Sequence, residues 1–412
     1  MWINKCLGEN PSKKDKYIII FLIAVVILKT SALRYSNWNP TYGGWINNLL
    51  SLGLIFYWIF FSKSSRLMNF KKEIYLMMFI PFLSIINSWS IYGQSPKSSI
   101  WILIGQSTWI IYFLLHKYKV SESAILKVFF IVAFAIAFIQ IVQQFTYPNT
   151  LFGIMSQDDM LEKGVDDIAE SRNGLWRFRM HYNAYFTAPI LFASIIWLQK
   201  NFSKRLFFIV SLLLISVYLT LTRQVIVSCI LTIFFLYILN KKNKLKALIL
   251  IFISVGCLYF FYDILFSSMV EQTSEDSNED NIRLLSASYF WNESLRTPLT
   301  FLFGIGKGAP SSALGILQDK MSTLFGFFVG DVGFIGEIYE RGLIYVIVSY
   351  YILYKLFIRL KNTVPLYIRL FVLFTVMMSI MIFPFISDNQ YLVWAMLLYV
   401  SDLHINSSKN SK

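Results

Sequence analysis

Repeated apolar stretches that are long enough to cross a membrane restrict the fold of this chain more than any other feature. A helix needs about 20 apolar residues to cross about 30 Å of hydrocarbon. Twelve stretches approach that length, near residues 17–33, 45–61, 74–91, 99–115, 124–146, 183–199, 206–221, 225–239, 246–266, 332–354, 366–386 and 390–403. The pattern predicts an all-α polytopic membrane protein with about 12 transmembrane helices.

Composition supports a membrane protein and argues against a soluble protein that binds nucleic acid. The 412 residues are 56% hydrophobic and only 15% charged, and the mean hydropathy is +0.57. The formal net charge is +14, but the basic residues form short clusters between the apolar stretches, where membrane orientation accounts for them. The lipid bilayer is therefore an expected partner, and nucleic acid is not. Cys6, Cys229 and Cys257 suggest neither a disulfide framework nor a metal cluster.

The basic clusters also predict the orientation of the chain. They lie at residues 13–16, 63–72, 117–119, 200–205, 241–246 and 355–369, which are alternate connections between the apolar stretches. Because lysine and arginine are retained on the cytoplasmic side, both termini are predicted to be cytoplasmic and the two longest connections to lie outside. The predicted segments are helices 1–5 (residues 1–146), an outer loop (147–182), helices 6–9 (183–266), a large outer loop (267–331), and helices 10–12 with a cytoplasmic tail (332–412).

Arginine is the most informative residue type on the predicted outer side. Arg172, Arg177 and Arg179 lie in ESRNGLWRFRMHYN, Arg223 lies between two apolar stretches in YLTLTRQVIVS, and Arg283 begins the segment IRLLSASYFWNESLRTPLTFLFGIGKGAPSS. An arginine at the centre of a membrane helix costs roughly 2.5–3.5 kcal/mol, so a functional role is the default hypothesis. A guanidinium can form two hydrogen bonds to a phosphate, which predicts an anionic ligand such as a lipid-linked pyrophosphate. Alternatively, Arg223 extends to the outer headgroups and the other arginines are solvated loop charges.

Several segments, taken in order, resemble the O-antigen ligase and polymerase superfamily. The segment YLTLTRQVIVS is similar to its threonine- and serine-rich arginine segment, and RNGLWRFRMHYNAYF is similar to the run that enters its mid-chain span. Arg283, Trp291 and Pro298, followed by GIGKG, resemble its large periplasmic loop, and GDVGFIGEIYERGLIY resembles the segment that ends that loop. The resemblance covers roughly residues 165–345.

The resemblance implies a metal-independent glycosyltransferase of the bacterial inner membrane that needs no cofactor. Its donor is a glycan on undecaprenyl pyrophosphate, its acceptor is a glycan hydroxyl that attacks the anomeric carbon, and a chain-length regulator is a further candidate partner. Arg223 and Arg283 are implied to contact the pyrophosphate, with Arg172, Arg177 or Arg179 assisting. Arginines that bind the leaving pyrophosphate more tightly as its charge develops lower the barrier.

Three side chains are candidate general bases for the acceptor hydroxyl. Ligases of this superfamily carry a histidine eleven residues before a glycine where the large loop enters the next span, and Asp331 takes that place before Gly342 here. Glu337 and His181 are the other candidates. Asp331 can instead be a helix N-cap, and Glu337 can pair with Arg341 four residues on. His181 can be an ordinary polar contact of its loop.

Several functions remain open at this point. Aspartate in place of histidine favours a polymerase, which joins lipid-linked repeat units, over a ligase, which transfers finished polymer to an acceptor. A transporter or flippase is less favoured because the chain shows no repeated halves and concentrates its polar residues in two outer loops after residue 146. A cell-wall polymerase of the shape, elongation and division type is a further enzyme alternative. The segment GIGKGAPSS lacks the glycine spacing of a nucleotide phosphate loop.

Overall fold

The fold is almost entirely helical, as the sequence predicts. The computed structural model describes residues 12–29, 40–61, 67–147, 170–172, 174–178, 183–239 and 282–410, and within these ranges the only strands form one short hairpin. The chain divides into two compact units. The first unit comprises Met1–Trp38, Leu126–Glu279 and Leu366–Phe374, and the second comprises Asn39–Ile125, Asp280–Pro365 and Thr375–Lys412. The apolar stretch at 246–266 lies outside the described residues.

The described helices follow the predicted apolar stretches closely. In chain order they are α1 (Lys13–Lys29), α2 (Pro40–Phe61), α3 (Lys71–Tyr92), α4 (Pro96–Leu103), α5 (Ile110–Tyr118), α6 (Glu122–Thr146), α7 (Asn183–Lys200), α8 (Lys204–Tyr218), α9 (Arg223–Leu239), α10 (Ile282–Ser294), α11 (Pro298–Phe303), α12 (Ala313–Phe325), α13 (Gly333–Tyr354), α14 (Leu366–Met378) and α15 (Asp388–Asn410). A 3₁₀ stretch, Ile104–Trp109, joins α4 to α5, and a π-helical turn, Lys355–Arg359, extends α13. The strands are β1 (Glu170–Arg172) and β2 (Leu175–Arg177).

Four of the described helical segments are long and apolar enough to cross a membrane, which is consistent with a membrane protein. They are Lys71–Tyr92, Pro96–Tyr118, Glu122–Thr146 and Gly333–Arg359. Shorter apolar helices occupy Trp45–Phe60, Arg223–Leu236 and Leu366–Met378. The predicted stretch at 366–386 is helical only as far as Met378, and Pro384, which cannot donate a backbone hydrogen bond, lies in the irregular segment that follows.

The first unit is held together by apolar packing with one buried polar link. The α7 and α8 helices pack against each other, and Tyr185 of α7 makes an edge contact with Phe371 of α14, with ring centroids 6.0 Å apart. The hydroxyl of Ser216 in α8 donates to the side-chain oxygen of Gln140 in α6 over 2.6 Å. This hydrogen bond fixes the position of α6 along α8 inside an otherwise apolar contact.

In the second unit, the large outer loop packs against α13 instead of forming a separate domain. The loop helices are set by local signals: Pro298 begins α11 after the capping residue Thr297, and Ser312 caps α12, whose end is marked by Gly326 at φ 67°. The shared core of loop and helix contains Phe290, Ile305, Leu314, Val332 and Tyr339. The described part of the loop therefore takes its stability from the start of α13.

The second unit also contains a buried carboxylate that is fully hydrogen-bonded. Asp402 of α15 has one carboxylate oxygen that accepts from the backbone and side-chain nitrogens of Asn69, at 3.2 and 2.9 Å. The other oxygen accepts from the Tyr112 hydroxyl and lies 3.0 Å from His116 Nε2. Three donors and the His116 ring thus surround a side chain that is fully buried.

Candidate functional site

The hairpin that precedes α7 is anchored to the end of α6 in the first unit. The side-chain amide of Gln144 donates to Trp176 O over 2.6 Å and accepts from Trp176 N over 2.9 Å, so one residue satisfies both backbone groups. The ring of Trp176 also stacks on Tyr147, with centroids 3.9 Å apart. These contacts anchor β2 to the end of α6. They therefore fix the position of the backbone of Arg177, the last residue of β2.

Arg177 is directed to the start of α9. Its Nη2 donates to the hydroxyl of Thr222 over 3.4 Å, and Thr222 immediately precedes Arg223, the first residue of α9. The Thr222 hydroxyl itself donates to Thr220 O over 3.0 Å. Beneath this junction Leu175 of the hairpin packs on Leu221. The structure therefore brings two of the predicted phosphate-binding arginines, Arg177 and Arg223, to one short turn.

This turn has the chemistry of an anion site. The first-turn N–H groups of a helix carry a partial positive charge, and Arg223 stands in the first turn of an α9 helix of 17 residues. Arg177 and Arg223 are both partly exposed. Two guanidinium groups beside a helix N-terminus can bind a phosphate or pyrophosphate through several charge-assisted hydrogen bonds.

Arg179 and His181 lie outside the described residues, and only the backbone of Arg172 is described, in β1. Their roles remain predictions.

A second group of predicted residues lies at the outer end of α13 in the second unit. Asp331 closes the 3₁₀ turn Val329–Asp331, which packs against α10, the helix that carries Arg283. Met381 contacts both α13 and α10. Its O accepts from Gly333 N, at the start of α13, over 3.0 Å, and its Sδ lies 3.9 Å from Arg283 Nη1 in α10. Asp331 and Arg283 are both exposed and share this end of the unit.

The N-cap role considered for Asp331 does not agree with the structure. The residue before α13 is Val332, and no side chain caps that helix. The reason is that residues 329–331 form their own 3₁₀ turn, in which Asp331 N donates to Phe328 O over 3.1 Å. The Asp331 carboxylate is therefore not committed to a helix end, which keeps it available as a candidate base.

Glu337 is held in an ion pair, as the alternative role predicts. Its carboxylate is buried and pairs with Arg341, one helical turn later on α13. Arg341 also donates to Phe385 O and Ile386 O, each over 3.0 Å, and Tyr345 donates to Phe385 O over 2.8 Å. This arrangement fastens the irregular segment after α14 to α13, and it makes Glu337 a poor general base.

The α13 helix is broken just after Arg341. Gly342 has φ 85° and ψ 165°, and a Cβ atom there would lie 2.2 Å from Leu302 O. The break frees two carbonyl groups, and the GIGKG segment binds them: Ile305 N donates to Tyr339 O over 2.6 Å and Gly306 N to Glu340 O over 3.0 Å. Irregular backbone inside a candidate membrane helix is tolerated where protein buries it or where it lines a polar cavity.

Two polar residues that sequence reasoning missed fix the GIGKG segment from the other side. Asn87 Nδ2 donates to Gly304 O over 2.7 Å, and Gln94 accepts from Ala309 N over 2.9 Å while donating to Lys307 O over 3.0 Å. Asn87 lies near the end of the apolar stretch 74–91, and Gln94 lies just beyond it. An amide side chain at the end of an apolar helix is the sequence feature that could have indicated hydrogen bonds to a loop backbone. The segment serves as a rigid support for Lys307 instead of a nucleotide loop.

Polar and aromatic side chains of α3, α10 and the loop that follows α10 contact each other near the GIGKG segment. The Arg296 guanidinium lies over the ring of Tyr92 at 5.9 Å, and the Tyr92 hydroxyl donates to Glu293 over 3.4 Å. Burial, and then the negative charge of Glu293, raise the pKa of Tyr289 in the loop helix α10. Tyr289 therefore stays a neutral phenol over the physiological pH range.

Among the described residues, no group of three or more His, Cys, Asp or Glu side chains is arranged to hold a metal ion. No protein-family model and no curated protein matches this chain. Function is therefore inferred from the residues and contacts above.

Proposed function

We propose that this chain is a polysaccharide polymerase of the bacterial inner membrane. It joins oligosaccharide repeat units that are carried on undecaprenyl pyrophosphate, on the outer side of the membrane. The proposal includes about 12 spans with both termini in the cytoplasm, because the basic clusters alternate so regularly between apolar stretches. It assigns no cofactor and no metal to the reaction.

One observation carries the proposal: Arg177 reaches Thr222 beside Arg223, at the start of an apolar helix. Two arginines at this position suit a phosphate-bearing lipid, because the phosphate can lie at the boundary while the hydrocarbon chain stays in the membrane. During transfer the bond from the anomeric carbon to pyrophosphate breaks as the acceptor oxygen attacks. The leaving pyrophosphate gains charge, and guanidinium groups that bind it more tightly at that stage lower the barrier.

The second unit supplies the residues that we assign to the acceptor. Asp331 has an exposed carboxylate that caps no helix, and it occupies the position where ligases of the resembled superfamily carry histidine. A carboxylate there can take the proton of the attacking hydroxyl. Arg283 is exposed at the same end of the unit and is a further candidate for contact with the anionic donor.

Deletion of the gene tests the proposal against its rivals. Loss of a polymerase should leave surface glycan that carries one repeat unit per acceptor. Loss of a ligase should instead leave long polymer on undecaprenyl pyrophosphate, and loss of a flippase should trap single units on the cytoplasmic side. Long, lipid-retained polymer in the deletion strain would exclude the polymerase and favour the ligase.

A variant series tests the arginine site directly. Arg223→Ala should abolish polymerisation at normal protein levels, and Arg223→Lys should restore little because lysine lacks the bidentate fork. Arg177→Ala should also reduce polymerisation at normal protein levels. Arg205, an exposed arginine in the first turn of α8 on the predicted cytoplasmic side, offers a control whose alanine variant should polymerise normally. Full activity of Arg223→Ala would mean that Arg223 only extends to the headgroups.

A further inference from the structure

Glu340 is a buried residue whose carboxylate has no hydrogen-bond donor among the described residues. The residue is 8% exposed, and its carboxylate makes neither a hydrogen bond nor a close ion pair within the described part of the chain. Its neighbour Glu337 differs, because Arg341 pairs with it. The charge of Arg341 also acts on Glu340, but it forms no hydrogen bond or close ion pair with that carboxylate. Burying a carboxylate without hydrogen-bond donors is costly, so proteins rarely keep one without a ligand or a function.

The surroundings of Glu340 point to the nature of that ligand. Glu340 O accepts from Gly306 N over 3.0 Å, directly before the break at Gly342. The next residue after Gly306 is Lys307, which has an exposed side chain and no ion pair with any described residue. Lys307 lies close enough to Glu337 for their charges to interact. The backbone contact between Gly306 and Glu340 therefore places Lys307 one residue from the position that contacts Glu340.

A hydroxyl group is the ligand that suits both charges at once. A hydroxyl can donate its hydrogen to a carboxylate while its oxygen accepts from an ammonium. An inorganic cation would be repelled by Lys307, and a phosphate would be repelled by Glu340. Adjacent hydroxyls on a sugar ring lie a few ångströms apart, so one can donate to the carboxylate while its neighbour accepts from the ammonium.

We propose that Glu340 and Lys307 form a binding site for the hydroxyl groups of a sugar, namely the non-lipid end of the acceptor glycan. This inference rests on the proposed function, which supplies the glycan. Glu340 provides the acceptor oxygen atoms from the broken helix, and Lys307 provides the donor from the rigid GIGKG segment. The break at Gly342 leaves Glu340 O available to Gly306, the residue before Lys307.

The test combines stability and binding in the purified full-length protein. Glu340→Gln removes the charge and keeps the shape, so the melting temperature should stay the same or rise. The KM for lipid-linked repeat units should increase by at least about tenfold, since each 1.4 kcal/mol is a factor of ten. Lys307→Met should raise the KM in the same direction. Lys320→Met, at an exposed lysine of α12, is the matched control and should change neither quantity.

A second measurement separates this inference from the proposed function. The oligosaccharide released from the cell's own lipid-linked repeat units is titrated into wild type and Glu340→Gln by calorimetry. Binding to wild type that Glu340→Gln weakens supports the site, even if the wild type fails to lengthen lipid-linked units. A melting temperature that falls in Glu340→Gln, or equal oligosaccharide binding by both proteins, would overturn it.

Discussion

Two buried carboxylates of the second unit, Asp402 and Glu340, differ in how their charge is compensated. Asp402 accepts hydrogen bonds from Asn69 and Tyr112 and lies within hydrogen-bond distance of His116 Nε2. Glu340 is almost as deeply buried and has no such donor among the described residues. Burial alone therefore does not identify a functional carboxylate. A buried carboxylate that accepts hydrogen bonds stabilises its surroundings. A buried carboxylate without hydrogen-bond donors lowers stability, and a binding role is a reason for a protein to retain it.

The largest expected effect on stability is at Asp402. Asp402→Ala removes the acceptor of the buried Tyr112 hydroxyl and of Asn69 N, and it takes away the carboxylate beside His116, so we expect a loss of about 3–5 kcal/mol. Thermal unfolding of the detergent-solubilised protein measures it. Asp319→Ala, at an exposed aspartate of α12, should change stability by less than about 0.5 kcal/mol. Equal stability of the Asp402 variant and wild type would remove the basis of the comparison.

Glu337→Gln should have an intermediate effect on stability. The amide keeps one acceptor for Arg341 but removes the charge, so we expect a loss of about 1–3 kcal/mol. Arg341 still donates to Phe385 O and Ile386 O, which limits the damage. The same unfolding measurement checks it. A variant as stable as wild type would show that the carbonyl contacts alone hold the segment after α14.

Asp331→Asn should have the smallest effect on stability and a clear effect on rate. The side chain is exposed and caps no helix, so we expect a stability change of less than about 0.5 kcal/mol. Chain growth should slow more than substrate binding weakens, which is typical of a group that acts in the transition state. An unchanged rate would turn the search for a base to His181, the remaining candidate outside the Glu337–Arg341 ion pair.

Topology offers a further check on the predicted sides of the membrane. In a protein without native cysteines, single cysteines at residues 277 and 243 should react with an impermeant reagent from opposite sides. Residue 277 should label in intact cells, and residue 243 should label only after permeabilisation. Equal labelling in intact cells contradicts the predicted orientation.

Sequence patterns predicted the helices well because apolar length is a local property. The family resemblance implied that Arg223, assisted by Arg177, contacts the pyrophosphate. The structure places Arg177 against Thr222 beside Arg223, and the contact with a ligand stays a prediction. Sequence patterns could not predict the break at Gly342, which depends on the close approach of Leu302 from the outer loop. They also could not show that Glu337 is paired and Glu340 is not, since both are glutamates on one helical face and only tertiary contacts distinguish them.

The central claim is that this chain lengthens lipid-linked repeat units by itself. The most direct measurement supplies purified protein with undecaprenyl-pyrophosphate-linked repeat units alone and follows the length of the lipid-linked glycan. We expect ladders of increasing length without nucleotide sugar, because each transfer breaks the bond between the anomeric carbon and the donor's lipid pyrophosphate and releases undecaprenyl pyrophosphate, whose charge the arginines stabilise. The Arg223→Ala protein should give no ladder. Single repeat units that remain unchanged with folded wild-type protein, under conditions where the substrate is bound, would contradict the claim.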